Sequence, residues 1–317
     1  MGRRQWILST KETLVITVQY IHHKGANGKY LINVLNILNE RKDIKLWVDS
    51  LGEYLTIGNR NVDVLLYQTF PDENNKKLNK KASEKTDSLF KSFQGLKILV
   101  DTHDNGDRDG FPRFNDRTMP RIKCFPSHRF MKEYNVVLKS TFNTEGERCS
   151  TEVFPDKYKR DIDINCKLGH KKIDFYEHRV REEVLRLLER DFPTTNIDWE
   201  NGYFAFLDSL RRTKITVACP GWGQWTNTHQ LALRTGALLF CHDCFNDIHF
   251  LPNIDLIEGI DYISFNLFNF SDKLRWLLDH LEVVGEVGNN GRGSFILGYS
   301  PNISATKFRN YLKKELK

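Results

Sequence analysis

Apolar positions along the first half of the chain form short runs that alternate with amphipathic stretches. The runs predict strands at residues 14–20, 45–48, 62–67, 96–100 and 136–138. Between the first two runs, residues 29–39 place apolar side chains at helical spacing, and a further helix is predicted at 85–93. Strands that alternate with helices are typical of a parallel α/β sheet, whose ligands gather at the carboxyl ends of the strands.

The second half repeats this pattern after a polar, irregular connection at residues 140–160. A strand at 162–168 is followed by a helix that Asp174 and Glu177 would open as a capping box. Further strands are predicted at 215–219 and 237–240, with a helix between them that opens near Thr226, and a basic amphipathic helix at 305–316. The pattern indicates two α/β units, residues 1–145 and 160–300, and a last helix at 301–317.

Composition narrows the class of protein. With 317 residues the chain suits two domains of about 150 residues each, and its 21 Phe and 6 Trp exclude general disorder. No apolar run reaches the roughly 18 residues of a membrane span, and the first residues lack the pattern of a signal peptide. Six cysteines, several of them in predicted buried strands, fit a reducing compartment. We therefore expect a soluble cytoplasmic protein.

The net charge of +6 is not concentrated in a nucleic-acid motif. Basic residues are interleaved with acidic ones, and no basic run accompanies a stacking-aromatic motif. Nucleic acid is therefore not an expected partner. Moderate positive potential suits a ligand that carries phosphates.

Residues 214–240, KITVACPGWGQWTNTHQLALRTGALLF, combine a buried strand, a glycine-rich turn and a helix start. Glycines allow close backbone approach, and a helix N-terminus directs free N–H groups at an anion, so the unit predicts a site for a nucleotide diphosphate. The same unit also occurs in α/β proteins that bind no ligand there. The candidate binding residues are Gly221, Trp222, Gly223, Gln224, Thr226, Asn227, Thr228 and His229.

Residues 203–301 resemble the donor-binding half of GT-B glycosyltransferases, especially the spore-maturation-like and exostosin-like groups. The similarity lies in an aromatic-rich helix YFAFLDSL, the unit just described, and then IEGIDYISF, SDKLRWLLDHL and VGNNGRGSFILGYSP in that order. It implies two Rossmann-like domains facing a cleft, with the donor in the C-terminal domain, the acceptor in the N-terminal domain, and a last helix that often crosses back to the N-terminal domain. It also places Gly169 and His170 beside the donor diphosphate. Thr228 and Leu231 depart from the family pattern, which usually has an Arg and a Glu there.

An acidic loop follows the strand at 96–100 and supplies candidates for catalysis. In one interpretation Asp101, His103, Asp104 or Asp107 is the general base for an acceptor hydroxyl, with His22 and His23 after the first strand as competing candidates. In a second, Asp107 and Asp109 form the metal site of a GT-A enzyme. In a third, a calcium loop is formed by Asn105, Asp107, Asp109, Gly110 and Asp116. A solvated polar turn remains the simplest alternative.

The function expected from these features is transfer of a sugar from a nucleotide-diphosphate sugar, with UDP favoured, to a hydroxyl of a glycan or glycoconjugate. We expect an inverting reaction that requires no metal or other cofactor, the sugar nucleotide being a co-substrate. The alternatives are the GT-A-type metal-dependent enzyme and a non-catalytic nucleotide- or glycan-binding protein. The sequence Cys241-His242-Asp243-Cys244 lacks the second ligand pair that structural zinc usually needs.

Overall fold

The computed structural model describes residues 15–22, 29–68, 84–85, 87–101, 116–140, 159–168, 176–197, 203–221 and 224–317. The strands are β1 Ile16–His22, β2 Ile44–Ser50, β3 Val64–Gln68, β4 Leu96–Asp101, β5 Arg121–Cys124, β6 Val136–Ser140, β7 Ile162–Asn165, β8 Thr213–Ala218, β9 Leu238–His242 and β10 Ile263–Phe265. The helices are α1 Lys29–Glu40, α2 Leu51–Ile57, α3 His128–Glu133, α4 Tyr176–Asp191, α5 Tyr203–Arg211, α6 Asn227–Thr235, α7 Phe270–Asp279, α8 Leu281–Gly298 and α9 Pro301–Glu315, with a 3₁₀ helix at Asp243–Asp247. Helical residues also occur at 84–85 and 87–92.

The strands form two separate parallel sheets. Six strands of the first half pair in the order β2-β1-β3-β4-β5-β6, and four strands of the second half pair in the order β10-β9-β8-β7. Every pairing between these strands is parallel. The predicted α/β class with two Rossmann-like units is confirmed.

Burial on both faces explains the strands of the first sheet. The strands β1, β3 and β4 are largely apolar and buried, and α1 covers one face with Tyr30, Val34, Leu35 and Leu38. No apolar run marks β5 in the sequence, because two of its four residues are Arg121 and Lys123. Both side chains are nevertheless fully buried. The reason is that β5 pairs with a strand on each side and that both faces of the sheet are covered.

Helix α2 was also absent from the prediction. It begins at Ser50, whose backbone N–H donates to Glu53 Oε2 at 2.7 Å while the Glu53 N–H donates to Ser50 Oγ at 3.4 Å. This reciprocal capping box stabilises a helix of only seven residues.

Helix α8 contains several glycines, which are poor helix formers, so the sequence pattern did not predict a helix there. A Cβ at Gly288 would lie 2.5 Å from the Gly236 carbonyl oxygen, and one at Gly291 would collide with the Asp261 carbonyl oxygen. The glycines at these two positions therefore let α8 approach the backbone around β9. No such contact limits Gly285 or Gly293, where added Cβ atoms would have open space.

The last helix, α9, packs against α1 and β6 of the first sheet. Tyr30 and Ser304 share a buried hydrogen bond of 2.8 Å, Arg41 donates to Asn302 Oδ1 at 2.7 Å, and Arg309 pairs with Asp43. A segment that follows the second unit in sequence thus completes the packing of the first. In the part of the chain that the structure describes, no helix has both the length and the apolar character needed to cross a membrane.

Candidate functional site

The turn after β8 is tightly held. The Pro220 carbonyl accepts a hydrogen bond of 2.7 Å from Arg181 Nε. At Gly221 an added Cβ would lie 2.9 Å from Thr226 Cγ2, 3.0 Å from the Trp225 carbonyl oxygen and 3.3 Å from an Arg181 guanidinium nitrogen. Only glycine fits without displacing its neighbours, so the backbone and the Arg181 guanidinium approach each other closely here.

Helix α6 begins immediately after the turn, with Thr226 as its N-cap. The Thr226 backbone N–H donates to His229 Nδ1 at 3.0 Å, which places the ring proton of a neutral His229 on Nε2. The His229 N–H donates to the Thr226 carbonyl at 3.0 Å, and the N–H groups of this first turn carry the positive end of the helix dipole. Asn227 is exposed, Gln224 and Thr226 are half-buried, and Thr228 is buried.

His229 itself has a structural role in the helix. Its ring is fully buried and stacks on Phe245 with centroids 4.9 Å apart. Burial lowers the pKa of His229 to about 3. The imidazole is therefore neutral at physiological pH and supplies no positive charge to a phosphate.

Two basic side chains lie at the carboxyl edge of the second sheet. Lys167 follows β7, is almost completely buried and donates to Asn196 Oδ1 at 2.7 Å. Arg181 comes from the second turn of α4. Both are close enough to Cys166 that their charges oppose the effect of burial, which raises the pKa of that thiol to about 12. Lys167 and Arg181 are not among the site residues predicted from the sequence. The signal for Lys167 was a basic residue just after the end of a strand.

The turn also contacts the first unit. Trp225 packs on Phe125, which follows β5, with ring centroids 4.0 Å apart, and Phe250 lies 5.2 Å from Phe125. Nearby, Lys139 of β6 donates to Asp255 Oδ1 at 2.8 Å, and His249 Nδ1 lies 2.6 Å from the same oxygen. The carboxyl edge of the first sheet therefore meets the loops that surround the glycine-rich turn.

On the first sheet, Asp101 ends β4 and is fully buried, with one carboxylate oxygen 3.2 Å from the Nζ of the equally buried Lys123. This position does not suit a general base, because the carboxylate is held by a cation and is closed to an acceptor, so we do not retain Asp101 in that role. His22 ends β1 and is half-buried, 6.1 Å from the ring of Tyr20. The other candidates lie outside the described residues: His23, His103, Asp104, Asp107, Gly169, His170, Trp222 and Gly223.

Two metal hypotheses concern the acidic loop, most of which lies outside the described residues, as do Asn105, Asp109 and Gly110. Asp116 is described, and its Oδ1 accepts hydrogen bonds from the Thr118 N–H and hydroxyl, at 2.9 and 2.6 Å. Within the described ranges no three His, Cys, Asp or Glu side chains are arranged to hold a metal ion. His242 instead caps the 3₁₀ helix, accepting from the Cys244 N–H at 3.3 Å.

No protein-family model matches the chain, and no curated protein shows significant sequence similarity to it. Solved structures do match. A sucrose-phosphate synthase from Thermosynechococcus elongatus aligns with a TM-score of 0.57 and 9% identity over 94% of this chain and 98% of its own. An alpha1,3-fucosyltransferase aligns with a TM-score of 0.53 and 10% identity over 96% and 92%, and a glycosyltransferase from Rickettsia africae with 0.52 and 12% over 96% and 99%.

These alignments extend over nearly all of both chains and define the fold class. The chain has the two-domain α/β fold of GT-B glycosyltransferases. The broad resemblance seen in the sequence is thereby confirmed, whereas the GT-A alternative does not fit two separate parallel sheets. The spore-maturation-like and exostosin-like groups in particular remain a prediction.

Proposed function

We propose that this protein is a glycosyltransferase that moves a sugar from a nucleotide-diphosphate sugar, with UDP favoured, to a hydroxyl of a glycan or glycoconjugate. The observation that carries the proposal is the juxtaposition of the Gly221 turn, the start of α6 and the guanidinium of Arg181 at the carboxyl edge of the second sheet. In an open α/β sheet this edge is where ligands bind.

The diphosphate is the group whose charge this arrangement can neutralise. The N–H groups of the first turn of α6 would face its oxygens, and Arg181 and Lys167 would supply positive charge from the neighbouring elements. As the acceptor oxygen bonds to the anomeric carbon, the bond from that carbon to the diphosphate breaks, and negative charge grows on the leaving oxygen. Preorganised N–H groups and cations stabilise this charge without a metal ion. We therefore expect metal-independent turnover with inversion.

The acceptor hydroxyl must lose its proton to a base from the first domain. Because Asp101 is paired with Lys123, the remaining candidates are His103, Asp104 and Asp107 on the acidic loop, His22 at the end of β1 and His23 next to it in the sequence. Asp104→Asn and Asp107→Asn, made separately, should show one position at which kcat falls by about 10²–10⁴-fold while nucleotide affinity is unchanged. If both variants retain normal turnover and His22→Ala or His23→Ala loses it, the base is one of the two histidines at the end of β1.

The donor site can be tested by calorimetry with UDP and GDP on Arg181→Met, with Arg179→Met as the control. Arg179 is exposed on the same helix, so its loss changes the net charge equally without touching the turn. Loss of charged hydrogen bonds to the diphosphate should weaken binding about 10- to 100-fold in the first variant and leave it unchanged in the second. Equal effects of both substitutions, or failure of the wild-type protein to bind either nucleotide, would overturn the assignment.

A non-catalytic nucleotide- or glycan-binding protein is the second candidate, favoured by one observation. Leu231, at a position where the resembling families usually have a Glu, is buried against Leu207 and Leu210 of α5 and offers no polar contact. A donor-hydrolysis assay with UDP- and GDP-sugars separates the two candidates. Nucleotide binding without any turnover of the donor, even with glycan acceptors, would favour the binding protein.

A further inference from the structure

Phe125, directly after β5, has a backbone conformation that is unusual for a bulky side chain. Its φ of 46° lies in the left-handed region, which favours glycine, and its ring is fully buried. The Cβ atom crowds the backbone in this region, and a residue before a proline, here Pro126, is normally extended. Lys42, the other described non-glycine residue with a positive φ, lies in an exposed turn between α1 and β2. Strain at a buried position persists only where the surrounding contacts compensate for it, and it concentrates at functional sites.

The segment that follows Phe125 pairs with the second domain. The Pro126 carbonyl accepts a hydrogen bond of 2.9 Å from the His249 N–H, and Ser127 forms an antiparallel bridge with Ile248. The chain therefore passes from the first sheet to the second domain at Phe125, which requires an abrupt change of direction. The strained backbone provides this change of direction and fixes where the Phe125 ring lies.

The Phe125 ring contacts the glycine-rich turn that precedes α6. It packs on Trp225 with centroids 4.0 Å apart, and Phe250 lies 5.2 Å from the first ring and 5.9 Å from the second. Trp225 directly precedes Thr226, the N-cap of α6, and its carbonyl oxygen lies 3.0 Å from the position of a Cβ added at Gly221. Trp225 is thus enclosed between the first domain and the turn.

We propose that Phe125 is a positioning residue for the glycine-rich turn and acts through Trp225, an inference that rests on the proposed function. The phenyl ring holds the indole, and the indole fixes the backbone that carries the N-cap of α6. Because the ring belongs to the first domain, the affinity of the second domain for its nucleotide depends on packing from the first. Packed residues of this kind change binding energies at a neighbouring site through energetic coupling.

The test is calorimetry with UDP and GDP on the wild-type protein and on three variants, Phe125→Ala, Phe125→Gly and Phe125→Leu. Loss of the ring should weaken nucleotide binding by about 3- to 30-fold, the range expected for a residue that acts through a neighbour. The Gly variant should bind as weakly as the Ala variant but unfold at a higher denaturant concentration, because glycine adopts the positive φ without strain. The Leu variant keeps most of the apolar volume and should recover most of the affinity.

Phe90→Ala is the matched control. Phe90 is equally buried and packs on Tyr67, in a cluster whose described members all belong to the first unit. This substitution should lower the free energy of unfolding, as the loss of a core ring does, without changing nucleotide affinity. A double-mutant cycle with Trp225→Ala tests the route. Because Phe125 acts through the indole, Phe125→Ala should have little further effect on the affinity of the Trp225→Ala variant.

The outcomes separate the two levels of inference. Wild-type affinity in Phe125→Ala would overturn the role of Phe125 and leave the proposed function standing. An equal loss of affinity in Phe90→Ala would do the same, because it would show general destabilisation. Additive losses in the cycle would also overturn the inference, because Phe125 would then not act through Trp225. A wild-type protein that binds neither UDP nor GDP would overturn the proposed function and this inference with it.

Discussion

Acidification should destabilise the second domain through His229. The folded state keeps this ring neutral, because burial lowers its pKa to about 3 from the ordinary value of 6.5. The unfolded chain accepts a proton below about pH 6.5, whereas the folded protein does not until about pH 3. The contribution of a neutral His229 is therefore complete above pH 6.5 and is lost progressively as the pH falls toward 3.

At pH 5 the loss of stability depends only on the pKa of His229 in the unfolded chain, because its pKa in the folded protein lies well below 5. A pH of 5 lies about 1.5 units below the unfolded pKa, and each unit corresponds to about 1.4 kcal/mol. The free energy of unfolding should therefore be about 2 kcal/mol lower at pH 5 than at pH 7. For a protein of ordinary stability this is a substantial part of the total.

His229→Gln isolates this contribution. Glutamine at the same position can accept the Thr226 N–H, as in a common capping box, but it does not titrate. Urea unfolding of both proteins at pH 7 and pH 5 gives the measurement, followed through the transition that includes α6. The difference in free energy of unfolding, wild type minus variant, should fall by about 2 kcal/mol on acidification. His242 and His249, whose pKa values are also lowered by burial, are present in both proteins and cancel. A difference that is the same at both pH values would refute the reasoning.

Three further predictions concern other parts of the molecule. In α8, Gly285→Ala should raise the free energy of unfolding by about 0.5–1 kcal/mol, because the added methyl has open space, whereas Gly291→Ala should lower it through collision with the Asp261 carbonyl; denaturant unfolding of the pair measures both. Lys123→Met should cost about 3–5 kcal/mol by leaving Asp101 buried without its cation, and Asp101→Asn added to it should recover part of that loss. Donor turnover should persist in EDTA, and complete loss that manganese restores would contradict the proposed metal-independent chemistry.

Hydrophobic periodicity predicted most of the fold. Eight of the ten strands that the structure describes were predicted at least in part, because parallel strands covered on both faces appear as apolar runs. The strands β5 and β10 were not predicted: Arg121 and Lys123 interrupt the apolar pattern of β5, and β10 has only three residues. The Lys123 ion pair that makes its burial tolerable joins two strands and has no signature in the sequence near either residue. Helix α8 was missed for a related reason: its glycines are explained by contacts with Gly236 and Asp261, far away in sequence.

The candidate site was predicted unevenly. The strand, glycine turn and helix start at 213–235 were placed from local signals alone, because capping and turn formation depend on neighbouring residues. The roles of individual side chains depend on tertiary burial. Nothing in the sequence near His229 or Asp101 shows that these side chains cannot reach a ligand, yet both are buried. Conversely, Arg181 contacts the turn from a helix about 40 residues earlier. No local pattern distinguishes such residues from solvated ones.

The packing of α9 on α1 has a consequence for biosynthesis. Tyr30 and Ser304, which share a buried hydrogen bond, are separated by 274 residues. A ribosome that has completed the first six strands has not yet made the helix that covers α1, so apolar surface of the nascent first domain stays open until nearly the whole described chain has emerged. At a synthesis rate of about 5–20 residues per second this interval lasts tens of seconds. Chaperone contacts should therefore concentrate on α1 during translation, and ribosome-bound chains halted before α9 should show protease sensitivity there that full-length chains lack.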